Sequence, residues 1–149
     1  MARGRFGLGR VVLDASAQAR RRGDRRVSTE HLVLAALGGI DPVAVHALGT
    51  DLGAAEEALD ELDRQALAAV GVVGMAVPPV PATSGKALPL TPAALSLFTG
   101  LGRLSRGERT GLKHVVLALL ARRPPDPAAV LLDALRIDRA AARGRLGVA

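Results

Sequence analysis

Two histidines stand at matching places in the chain. His31 lies in TEHLVLAAL (Thr29–Leu37) and His114 in LKHVVLALL (Leu112–Leu120). A histidine pair suggests a metal site, but there is no cysteine and no companion acid at helical spacing, so Asp14 or Asp51 would have to arrive from elsewhere. A structural role beside the core, with each ring hydrogen-bonded, is the preferred reading. Ser28, His31 and Asp24 hold the residue types of a catalytic triad. They lie too close in sequence to face one another, and no nucleophile-elbow pattern surrounds the serine. Gly85-Lys86 is the only Gly-Lys pair. Ala follows it, and Val80 stands where a phosphate loop needs glycine. Neither catalysis nor nucleotide chemistry is expected, and no metal or cofactor. Glu30 reads in two ways: a carboxylate that holds a ligand, or a first-turn acid that the helix dipole favours. Arg20-Arg21-Arg22 and Arg25-Arg26 could hold phosphate, nucleic acid or an acidic partner. The simpler reading is a solvated helix end, and no aromatic residues interleave these cations to stack bases.

The elements that must position these residues are helices. Phe6 and Phe98 are the only aromatic residues, and Trp, Tyr and Cys are absent, so the core must be built from Leu, Val and Ala. A helix is expected over 9–22, with Val11, Val12, Ala15 and Ala19 on one side. Ser28 or Thr29 can cap the next, over 30–37, which Gly38-Gly39 ends. Asp41-Pro42 starts a short helix through Leu48, and Leu52–Val70 keeps Leu52, Ala55, Leu59, Leu62 and Ala66 on one face. After the proline-rich stretch 71–89, Thr91-Pro92 starts a helix to about Leu104. Leu112–Arg122 is apolar, Asp126-Pro127 starts the next helix through Leu135, and Asp138 opens the last.

The order repeats. In each half an apolar helix with a histidine at its third position is followed by a loop, an Asp-Pro start, an Ala-Leu pair and an acid that opens the last helix. A match of four features in order predicts an all-α protein of two pseudo-symmetric repeats of about four helices each: repeat one 4–70, linker 71–89, repeat two 90–149, together one domain. Charge is uneven: +6 over residues 1–26, −7 over 27–71 and +7 over 72–149. An acidic middle between basic ends is not one continuous nucleic-acid footprint. No apolar run is long enough to span a bilayer and the basic start lacks an apolar h-region, so a cytoplasmic protein without a signal peptide is expected.

The pattern resembles the Clp repeat domain, the N-terminal domain of Clp-family AAA+ unfoldases, over almost the whole chain. Ser28-Thr29-Glu30-His31-Leu32-Val33-Leu34 is similar to its Gly-Thr-Glu-His-Leu-Leu helix. Val43-Ala44-Val45 and Gly49 to Leu52 follow in family order. Pro89-Leu90-Thr91-Pro92 resembles a repeat start, Lys113-His114-Val115-Val116-Leu117 a degenerate core motif, and Ala129 to Arg136 a closing segment. The resemblance implies a binding module rather than an enzyme, without the ATPase motor. It would act as an adaptor or a decoy for a Clp unfoldase–protease, and would bind that unfoldase, its substrates or adaptors, or small molecules that target its N-domain. It places the ligand site at Thr29, Glu30, Thr91 and Lys113. In the family the motif Glu of each repeat holds the guanidinium of a phosphorylated arginine; Glu30 keeps that residue and Lys113 reverses its charge. The alternative class is a nucleic-acid-binding protein that uses the Arg clusters.

Overall fold

The computed structural model describes residues 3–71 and 86–148. Most of the expected linker, 72–85, therefore lies outside the described residues. The described residues form nine helices and no strand. The described residues are thus all-α, and none of these helices is long and apolar enough to cross a membrane.

Helix α1 (Arg3–Arg21) begins earlier than the sequence predicts. It is followed by α2 (Thr29–Gly38), α3 (Val43–Leu48) and α4 (Leu52–Ala69). After the linker come α5 (Pro92–Thr99), α6 (Leu101–Ser105), α7 (Leu112–Leu120), α8 (Pro127–Ala134) and α9 (Arg139–Arg145). The single helix expected from Thr91 to Leu104 is two, because Gly100 ends α5 and α6 restarts behind it. Glycine is a poor helix former and marks the break.

The starts follow local chemistry. Thr91, Asp126 and Asp138 each stand at an N-cap and accept a backbone N–H with the side chain, from Ala94, Ala128 and Ala141. Asp51 does the same for Ala54 at the start of α4. Pro92 and Pro127 fill first-turn positions that need no donor. Asp41 accepts the Val43 N–H at 3.0 Å, ahead of α3.

Helix α2 is apolar on all sides, and every residue from His31 to Leu37 is buried. Such a helix belongs in the middle, and α1, α3, α4, α7 and α8 all pack on it. In α7 every residue from His114 to Leu120 is buried as well. One apolar cluster joins residues from both sides of the linker, with Leu32, Leu34, Val115, Leu131 and Leu132 fully enclosed. Helix α4 buries only Ala55 and Leu59 and leaves Glu57, Asp60 and Glu61 outside.

Three polar contacts fix how distant segments meet. Val27 and Leu90 form an isolated parallel bridge: the Val27 N–H donates to Pro89 O and the Thr91 N–H to Val27 O, both at 2.8 Å. Arg22, in the turn after α1, spans Asp60 and Asp63 of α4. Arg145 of α9 donates to Ala47 O near the end of α3 at 2.8 Å, where a cation also suits the helix dipole.

Candidate functional site

The Val27–Leu90 bridge sets the start of α5 beside the start of α2. Between them is an open cleft of about 350 Å³ lined by Asp24, Arg25, Arg26, Ser28, Glu30, His31 and Thr91. The segment after α1 contributes the two arginines and Asp24, the first turn of α2 contributes Glu30 and His31, and Thr91 stands at the cap of α5.

Glu30 occupies the second position of α2. Its Oε1 is buried and has no hydrogen-bond partner among the described residues. A buried carboxylate oxygen left without a donor costs about 1–3 kcal/mol or more relative to a paired one. A ligand bearing N–H donors would relieve that cost. Arg25 and Arg26 are exposed and make no ion pair among the described residues, so the rim can meet an anion. Opposite charges at one cleft suit a ligand with a cationic group held deep and an anionic group near the rim.

His31 lines the cleft but is already engaged at both nitrogens. Its Nδ1 accepts the Ser28 N–H at 2.9 Å, and its Nε2 lies 2.8 Å from Asp24 Oδ2. Since a backbone N–H can only donate, Nδ1 carries no proton and Nε2–H donates to the carboxylate. The ring is 2% exposed. While the cap is formed, neither nitrogen presents a free lone pair to a metal or a substrate. The preferred sequence reading, a hydrogen-bonded histidine at the edge of the core, holds here. His114 repeats the cap at Nδ1, which accepts the Gly111 N–H at 3.0 Å, but its Nε2 lies 3.7 Å from Glu108, too far for a hydrogen bond. Among the described residues, no group of three His, Asp or Glu side chains is placed to share a metal ion.

The four residues expected to bind ligand separate in space. Glu30 and Thr91 share the cleft. Thr91 Oγ1 accepts the Ala94 N–H at 3.2 Å. Thr29 is turned inward. It is fully buried, donates to Asp126 Oδ1 at 2.6 Å and accepts the Ala128 N–H at 3.1 Å, so it ties α2 to the start of α8. Lys113 is outside this cleft, on the first turn of α7, with Nζ 3.9 Å from Glu108.

The sequence groups Asp24 and Ser28 with His31 as triad residue types and Arg25 with Arg26 in a basic cluster, and joins neither group to Glu30. Their closeness to Glu30 along the chain was a signal for that grouping, whereas Thr91 joins it only through the long-range bridge. The arginine cluster is also divided. Arg22 is partly buried against Asp60 and Asp63, while Arg25 and Arg26 face the cleft.

In comparison with known proteins, no family model matches this sequence, and no curated protein matches it significantly.

Proposed function

We infer that this chain is a Clp-repeat-type binding module without catalytic activity of its own. It takes the guanidinium of a protein ligand at Glu30 and serves as an adaptor or decoy for a Clp unfoldase–protease. The observation that carries this reading is the buried, unpartnered Oε1 of Glu30 in a cleft whose rim holds Arg25 and Arg26. A guanidinium presents paired N–H donors to a carboxylate, and a phosphoryl group on it would meet the rim arginines. The similarity of Ser28–Leu34 to the family motif supports the same position.

The halves are read as pseudo-symmetric copies, with α2, α3 and α4 corresponding to α7, α8 and α9. The matched histidine caps and the matched acid at the start of α4 and of α9 support that correspondence. Under it Lys113 corresponds to Glu30, and a guanidinium is received in one half only.

Titration of phosphoarginine followed by NMR shifts tests the reading. Wild type binds weakly, Glu30→Ala loses binding by about ten-fold or more, and Lys113→Glu gains affinity through a second carboxylate. Full binding by Glu30→Ala defeats the assignment. A pull-down from cytosol that enriches a Clp ATPase supports the adaptor or decoy role. Nucleic-acid binding through the arginines has weaker support, because Arg22 is held by two aspartates and Asp24 and Glu30 lie among the other cations.

A further inference from the structure

In a conventional capping box the residue at the third helical position is Glu or Gln, and its side chain accepts the N–H of the cap residue. Here a histidine does this twice. His31 Nδ1 accepts from Ser28 at 2.9 Å and His114 Nδ1 accepts from Gly111 at 3.0 Å. The two helices concerned, α2 and α7, are the two whose residues are almost all buried. A carboxylate or amide acceptor keeps its lone pair at all pH values near neutrality. Imidazole does not, because its second proton goes onto the nitrogen that accepts. Once Nδ1 is protonated, two N–H groups point at each other and the cap bond cannot exist.

The residue just before each of these histidines is Glu30 or Lys113, at the second position of the same first turn. We propose that each half carries a proton-operated helix cap, in which protonation of His31 or His114 opens the first turn of α2 or α7 and reorients Glu30 or Lys113. The device does not depend on what those two residues bind.

The second nitrogen of His31 keeps its partner through the change. His31 Nε2–H stays on Asp24, so the imidazolium retains one anchor while it loses the other. Arg25, Arg26 and Glu30 share the cleft wall with His31, and Asp126 at the start of α8 is bonded to the neighbouring Thr29. Beside His114 stand Glu108 at 3.7 Å and Lys113, whose Nζ approaches the same carboxylate at 3.9 Å. Among the described residues, no other element packed on α2 or α7 hydrogen-bonds or ion-pairs with either ring. Asp24 bonds His31 at 2.8 Å, whereas Glu108 stands off from His114 at 3.7 Å.

Wild-type protein labelled with ¹⁵N reports directly. At pH 8 long-range ring correlations show Nδ1 bare and Nε2 protonated in both histidines. As pH falls from about 8 to 5, the range in which histidines exchange their second proton, the amide shift of Ser28 follows the His31 ring and that of Gly111 follows His114. Each of these amides loses about five-fold in exchange protection, the size of a lost cap. His31→Gln supplies an acceptor that does not titrate. The Ser28 amide then becomes insensitive to pH while Gly111 still responds, and His114→Gln gives the reverse. The proposal is overturned if the wild-type rings carry hydrogen on Nδ1 at pH 8, or if the rings titrate without moving those amides. It is also overturned if neither ring titrates between pH 5 and 8, or if the glutamine variants keep the dependence. The wild-type observations stand even if a variant fails to fold.

Discussion

Replacing Thr29 by valine separates two roles for that residue. The side chain is fully buried, and its hydroxyl bridges Asp126 Oδ1 at 2.6 Å and the Ala128 N–H at 3.1 Å. Valine keeps the volume and both branches but removes the oxygen. The Ala128 N–H retains a second acceptor, Asp126 Oδ1 at 2.9 Å, so it is not orphaned. Asp126 loses a charge-assisted bond in a site where its side chain is only 10% exposed. Bonds to charged groups contribute about 1.5–3 kcal/mol. Thr29→Val should therefore destabilise the protein by about 2 kcal/mol, or about 6 °C in Tm for a chain of this size. Denaturant unfolding measures the loss. In a double-mutant cycle with Asp126→Ala, the coupling should be about 1–2 kcal/mol. Thr29→Ser keeps the hydroxyl and should retain the coupling. Under folding conditions Thr29→Val should leave phosphoarginine affinity nearly unchanged, because the hydroxyl faces α8 and not the cleft. A loss below about 0.5 kcal/mol with zero coupling would refute the role of Thr29 as a tie between α2 and α8. A specific loss of ligand binding in the folded variant would return it to the site.

Leu132→Ala, in the enclosed core of α8, should cost about 2–5 kcal/mol by cavity formation, read from urea midpoints. Arg22→Ala should remove the contact with Asp60 and Asp63 at a cost of about 1 kcal/mol that shrinks as salt is added, since both aspartates are more than half exposed. The Arg64 guanidinium, hydrogen-bonded to Glu61, holds that carboxyl below its usual range. Its small contribution is therefore present above the ordinary glutamate range and fades as pH falls below it; Arg64→Ala should remove that part of the acid dependence of Tm. No phosphate loop is present in the sequence, so the purified chain should show no saturable ATP binding in calorimetry at micromolar concentrations.

The helices were legible in the sequence because their signals are local. Thr91-Pro92, Asp126-Pro127, Asp51 and Asp138 each satisfy an N–H two or three residues ahead, a bond that forms wherever the helix does. Unbroken apolar runs likewise identified α2 and α7 as apolar helices, and the matched histidines aligned them as repeats. Tertiary structure alone decided which first-turn residue faces a ligand. Helix α2 is apolar on all sides, so its pattern names no outer face, and Thr29 and Glu30 are equally plausible there until α8 arrives to take the threonine hydroxyl. The cleft depends on Val27 meeting Leu90, a pairing of segments 63 residues apart that no local propensity encodes. The same holds for the arginines: a cluster of two neighbouring runs in the sequence is divided by the approach of α4, whose aspartates take Arg22 and leave Arg25 and Arg26 at the cleft. Caps and turns follow from neighbouring residues, whereas the partner of a buried polar group is set by whichever distant element packs against it.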